Sequence, residues 1–132
     1  MLVDTEGLLI TVQVTGASVQ DHHQVYELAA AGKAHSSRLV KIWVDEGYQG
    51  NQVAQAIQDE LQIDLEIVPK PTGQKGFVLV PRRWVVERTF AWLGRYRRLS
   101  KDYEYYCETQ QALIYLAMSH LMLRRLAKRA GN

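Results

Sequence analysis

The chain of 132 residues reads as a mixed α/β sheet with helices on its faces. Three observations predict that class. Short apolar runs rich in branched residues, Leu8 to Val14, Leu39 to Val44 and Leu65 to Val68, are separated by longer segments of helical periodicity. Asp4-Thr5-Glu6-Gly7 lies between Met1-Leu2-Val3 and the first of these runs, and its turn chemistry makes a hairpin. The later strands alternate with helices, giving the coarse order β-β-α-β-α-β-α-α.

After the hairpin, Gly16 to Gln20 is a loop and Asp21 is placed to cap a helix over His22 to Ala31, with Gly32 as its terminating residue. His22 and His23 are adjacent and point to different faces, so they lack the i, i+4 spacing of a helical metal pair. Ala34 to Arg38 is a polar connector. Leu39 to Val44 is a buried-type strand that runs into Asp45-Glu46-Gly47-Tyr48, and Asn51 can cap a helix over Gln52 to Leu61. A carboxylate at the carboxyl end of a strand, before a glycine and a helix, stands where open α/β sheets place functional groups. Leu65 to Val68 is a further strand. Lys70 to Gly76 is a basic, Pro/Gly-containing loop, and Phe77 to Val80 leads out of it.

Pro81 to Lys101, PRRWVVERTFAWLGRYRRLSK, holds seven of the sixteen basic residues: Arg82, Arg83, Arg88, Arg95, Arg97, Arg98 and Lys101. It contains one acid, Glu87. Read as a single helix at about 100° per residue, it gathers Leu99, Trp92, Val85, Tyr96, Thr89, Leu93, Val86 and Phe90 on one arc. Glu87 falls on the opposite, basic arc beside Ala91 and Gly94. Such a face suits a phosphate backbone and a metal ion; it equally suits a solvated helix with Glu87 paired to Arg83. After Asp102 to Glu108, Thr109 can cap a last helix from Gln110 to Lys128. The helical region spans 109–129. Its centre, Ala112 to Met118, is apolar nearly all round and is expected to be buried. Its basic end, Arg124 to Arg129, complements the helix dipole.

Length and composition (47% hydrophobic, 23% charged) fit one globular domain. The net charge of +2 makes the basic segment a local field. One cysteine, Cys107, excludes an internal disulfide framework. The start lacks the pattern of a signal peptide, and no apolar run has the length of a membrane span. A cytoplasmic chain with no membrane partner is expected.

The segment Trp84 to Glu104, WVVERTFAWLGRYRRLSKDYE, resembles the C-terminal signature of bacterial insertion-sequence transposases of the DDE class, in the insertion-sequence-five group. LVDTEGLL, VTGASVQD, WVDEGYQG, the KGF segment and LMLRRLA also look like family blocks, in family order. The resemblance implies an RNase H-like mixed sheet with flanking helices, here N-terminally truncated, with its first strand missing. Residues 1–132 would then form the C-terminal portion of the catalytic domain. It also implies three carboxylates that hold two Mg²⁺ or Mn²⁺ ions. Asp45 in WVDEGY matches the second carboxylate and Glu87 in WVVER the third, as catalytic and metal-binding residues; the first would lie upstream, and Asp4 does not match it. Arg83, four residues before Glu87, matches an arginine of the signature. Family members often carry a tyrosine where this chain has Val80 and a lysine where it has Gly94, next to Arg95.

The activity so implied is DNA strand cleavage and transfer in the complete enzyme. Its partners would be DNA at element ends and targets, an upstream transposase segment or full-length transposase, and further copies in a homo-oligomer when active. It would act on the bacterial nucleoid. The alternative reading is a catalytically dead DNA-binding or transposase-interacting remnant.

Overall fold

Asp4 organises the first turn. Its carboxylate Oδ1 accepts the backbone N–H groups of Glu6 and Leu8, each at 2.8 Å. Gly7 completes the turn at φ +78°, a conformation that favours glycine. The turn joins β1 (Leu2–Val3) to β2 (Leu9–Thr11) in an antiparallel pair. The computed structural model describes residues 1–16, 21–45, 51–69 and 83–131. The loop 16–20 beyond Gly16, the Glu46 to Gly50 segment, the basic 70–76 loop, Phe77 to Val80 and Arg82 lie outside the described residues.

β2 stops earlier than its branched composition suggests, because the next backbone donors bond to a helix. Val12 N–H donates to the Tyr115 hydroxyl at 3.2 Å, and Val14 N–H donates to Gln111 Oε1 at 3.3 Å. Both acceptors belong to α4 (Cys107–Ala130).

α1 spans Asp21–His35 and runs through Gly32, which the sequence marks as a stop. Gly32 serves packing instead. A Cβ there would lie 2.5 Å from Leu2 Cδ2 and 3.1 Å from Leu39 Cδ2, so the missing side chain lets α1 settle on β1 and on the chain leading to β3.

β3 (Lys41–Asp45) and β4 (Asp64–Val68) pair in parallel, with Lys41 opposite Asp64 and Asp45 opposite Val68. α2 (Asn51–Leu61) is the crossover between them. It ends on Gln62 at φ +55°, where Gln62 N–H bonds to Gln58 O and Ile63 N–H reaches Ile57 O. The Gln62-to-Gln58 bond makes this an αL cap, with a non-glycine residue in the left-handed position. Ile57 and Ile63, on either side of it, are fully buried.

The expectation of one continuous mixed sheet needs correction. The α/β class stands, but the described residues form two separate two-stranded sheets, β1-β2 and β3-β4. Side chains join them where a ladder does not. Leu2 packs into a core of Ala29, Ile42, Ile57 and Ile63, while Val3, Leu9 and Val12 pack into a second core with Leu93, Ala117 and Met118. Successive residues of a strand face opposite ways, so the hairpin serves both cores.

The long basic helix is also corrected. α3 spans only Arg83–Leu93, and Arg97–Leu99 form a separate 3₁₀ turn. Arg95 N–H and Tyr96 N–H bond to Trp92 O and Leu93 O, i→i−3 bonds that tighten and close the last turn. Gly94 is a poor helix residue, and the Tyr96 hydroxyl is held by Ala117 O of α4 at 3.0 Å. Residues past Gly94 therefore leave the arcs drawn for one helix. Within α3, Thr89 and Leu93 are buried as expected, but Phe90 is 59% exposed.

α4 begins at Cys107, ahead of Thr109, on a Tyr106 N-cap that makes no side-chain bond. Its centre is not buried all round: Ala117 and Met118 are buried, whereas Leu116 is exposed. One side of α4 packs on β2 and α3, and the other faces outward. Among the described residues no helix is long and apolar enough to cross a membrane.

Candidate active site

Asp45 is the last residue of β3, and its side chain is exposed. The strand places it at the carboxyl end of a parallel pair, the end where α/β sheets gather functional groups. Glu87 lies in the middle of α3 and is exposed, with Ala91 and Gly94 exposed along the same side. Among the described residues neither carboxylate is engaged by an ion pair or a side-chain hydrogen bond. Both are hard oxygen donors of the kind Mg²⁺ and Mn²⁺ select. Among the described residues no group of three Asp, Glu, His or Cys side chains is gathered for a metal. Asp4 is committed to its own turn.

α3 is oriented by its contacts with the hairpin. Thr89 Oγ1 donates to Gly7 O at 2.7 Å, and Arg88 Nη2 donates to Glu6 O at 2.7 Å. These two bonds, from neighbouring residues of α3 to neighbouring carbonyls of the turn, fix the rotation of α3 about its axis. That rotation turns Glu87 outward.

The basic residues separate into different environments. Arg88 is half-buried, with its guanidinium 4.2 Å from the Trp84 ring centre and 4.9 Å from that of Trp92. Its Nε is buried without a partner among the described residues. Arg88 thus serves the α3–hairpin joint. Arg98 bonds Glu104 through Nε at 2.9 Å and Nη2 at 2.5 Å, which braces the 3₁₀ turn. Arg95, Arg97 and Lys101 are exposed, on the turns beyond α3. Arg83 opens α3, but its side chain, and with it the Arg83–Glu87 pair, lies outside what is described.

Lys41 on β3 bonds Asp64 and Glu66 of β4 at 2.8 and 2.7 Å, which raises its ammonium pKa above the ordinary range. It is a strand-to-strand brace on the sheet that carries Asp45.

One cluster was not singled out in the sequence. The end of α3 and the C-terminal half of α4 line an open groove of about 460 Å³. Trp92, Arg95 and Tyr96 line it from one side, and His120, Arg124, Arg125 and Lys128 are among the α4 residues lining the other. The available signal was the i, i+4 pair Arg124 and Lys128, which reads equally well as a helix-dipole complement.

Residues 1–122 match the family model described as a transposase DDE domain. The chain is also 30% identical over 112 residues to the proposed transposase of insertion sequence element IS402 from Burkholderia cepacia. That similarity covers 79% of this chain and 52% of the relative, so the chain spans about half the length of the curated relative it matches. No solved structure matches. With the family model covering nearly its whole length, the chain belongs to the DDE-domain transposases.

Proposed function

We propose that the chain is the C-terminal part of an RNase H-like catalytic domain that cuts and joins DNA strands in transposition. Asp45 and Glu87 are its catalytic and metal-holding carboxylates. The observation that carries the reading is the placement of these two acids. One ends a parallel strand and one stands on an outward-facing helix surface, and both are exposed and uncompensated among the described residues. Family membership supplies the class of reaction.

In this reading Asp45 and Glu87 hold Mg²⁺ or Mn²⁺, which when bound polarises the phosphodiester and its attacking oxygen. The chain's own residues position the DNA. Arg95, Arg97 and Lys101 contact phosphates without regard to sequence, with Arg82 and Arg83 continuing that surface towards the start of α3. Arg88 braces α3 against the hairpin and Arg98 braces the 3₁₀ turn beneath that surface. Two carboxylates are fewer than a two-ion site needs, and the described residues gather no third. In this reading the remaining ligand comes from a further transposase segment or chain, within a homo-oligomer of the active enzyme.

The test is Mg²⁺- or Mn²⁺-dependent nicking and joining of element-end DNA by the 132-residue chain, alone and with the upstream half of a related transposase added. Activity only in the mixture, abolished by Asp45→Ala, supports a divided carboxylate site. DNA retention with no cutting in either case supports a binding or transposase-interacting module instead. Cutting by the chain alone would overturn the divided site.

A further inference from the structure

The groove between α3 and α4 is lined by charges of one sign. Arg95, Arg124, Arg125 and Lys128 line it, and no Asp or Glu does. Lys41, Arg98 and Arg129 each have a carboxylate partner. Among the described residues none of the four cations of the groove has one. Four cations and no acid around one groove of about 460 Å³ make a local positive field that favours an anion.

A second observation concerns orientation. The guanidinium of Arg125 lies 4.3 Å from the centre of the Trp92 ring. Trp92 also contacts Arg88, at 4.9 Å, and Arg88 contacts Trp84, at 4.2 Å. Trp84, Arg88, Trp92 and Arg125 thus make a continuous cation–ring series from α3 to α4. The Tyr96 hydroxyl, bonded to Ala117 O and to His120 Nδ1, steadies the neighbouring wall. A guanidinium held against a ring keeps its donors in a fixed plane, a fork that matches two phosphate oxygens. Arg124 and Lys128 stand one helical turn apart, roughly 6 Å along the axis. That spacing offers charge to successive phosphates of one strand, and not to a single small anion alone.

Neither Asp45 nor Glu87 lines the groove. Arg124, Arg125 and Lys128 lie beyond residue 122, where the family match ends. We propose that this groove is a second DNA-backbone site, which holds consecutive phosphates of a DNA strand at the α3–α4 corner independently of base sequence. The identity of the polyanion rests on the DNA reading above; the presence of an anion site does not.

The test compares three variants of the 132-residue chain in duplex-DNA binding between about 50 and 200 mM salt, the range over which phosphate contacts dominate affinity. Arg124→Ala with Lys128→Ala changes two exposed side chains that make no hydrogen bond among the described residues, and circular dichroism verifies the fold. This variant is expected to bind at least about tenfold more weakly, with a salt slope lower by about two. Arg125→Lys keeps the charge but loses the fork, and is expected to weaken binding several-fold at an unchanged slope. Arg97→Ala with Lys101→Ala serves as the reference, on and just after the 3₁₀ turn. If the Arg124/Lys128 variant keeps wild-type affinity and slope while the reference variant loses both, the groove is overturned and the DNA reading stands. If the wild-type chain binds no DNA, both fall. If inorganic phosphate at matched phosphate concentration displaces the DNA, the groove is a free-anion pocket and the backbone site is overturned.

Discussion

The Thr89 hydroxyl donates to the carbonyl oxygen of Gly7 at 2.7 Å, across 82 positions of sequence, and a Cβ on Gly7 would lie 2.8 Å from that same hydroxyl oxygen. The two residues specify each other: the glycine makes room for the threonine, and the threonine closes the bond the glycine exposes. Thr89 is fully buried. Thr89→Val should therefore cost about 1–3 kcal/mol, the usual penalty for leaving a buried polar group unpaired. Thr89→Ser, which keeps the hydroxyl, should recover most of it. Urea titration of the three proteins checks the order, and a valine variant as stable as the wild type would remove the bond from the account.

Gln62 points the opposite way. It holds a left-handed conformation at φ +55° that costs a non-glycine residue roughly 1–2 kcal/mol. Gln62→Gly should raise stability by up to about 1 kcal/mol, part of the gain being offset by the greater freedom of glycine in the unfolded chain. A thermal midpoint that falls would show that the Gln62 side chain contributes more than its backbone costs.

Removing a carboxylate from the proposed site should affect activity and not folding. Glu87 is exposed on α3, so Glu87→Gln should leave the unfolding midpoint within about 0.5 kcal/mol, as for ordinary surface changes. The same variant, in the reconstituted enzyme, should lose strand cleavage by at least about a hundredfold. Paired activity and stability measurements separate the two effects. Equal loss of both would assign Glu87 to the scaffold.

Alkaline pH should loosen the β3–β4 pairing and the α1–α2 contact. Lys41 has its pKa raised, chiefly by its hydrogen bond to Asp64, then by that to Glu66. Tyr26, whose hydroxyl bonds Glu60, has its pKa raised by that bond. A group whose pKa is higher in the folded state contributes stability that is fully present below its unfolded pKa and lost as pH rises through the folded one. Here that window begins near the ordinary side-chain values, 10.0 for tyrosine and 10.5 for lysine. The thermal midpoint should hold to about pH 9–10 and fall above it. Lys41→Met should flatten part of the fall.

Local chemistry was readable in the sequence, and distant contacts were not. Asp4 and Gly7 announced the hairpin because an Asx turn and a positive φ are properties of a few adjacent residues. The β3–α2–β4 crossover was likewise evident from one apolar strand, one helix and one short strand. Gly32 was misread as a helix stop because its true neighbours, Leu2 and Leu39, are set by tertiary approach. The end of α3 was missed because the Tyr96–Ala117 tie belongs to another helix. Of the candidate site, the residue types and host elements of Asp45 and Glu87 could be read, since a strand end and a helix face are local properties. The loss of Arg88 to the hairpin joint could not, because Glu6 and the two tryptophan faces reach it only in the folded chain.

The bonds from Val12 and Val14 to α4 carry a consequence for self-association. Donors two residues apart on an extended chain face the same way, and here both are occupied by Tyr115 and Gln111. Helix α4 thus acts as a stopper on the prolongation of β2, where a neighbouring molecule would otherwise find a ready template. Loss of α4, by a frameshift or nonsense codon after Asp102, would uncover those donors together with the apolar side chains of Leu9 and Val12. Such a product would be recovered as insoluble aggregate and not as a smaller folded domain.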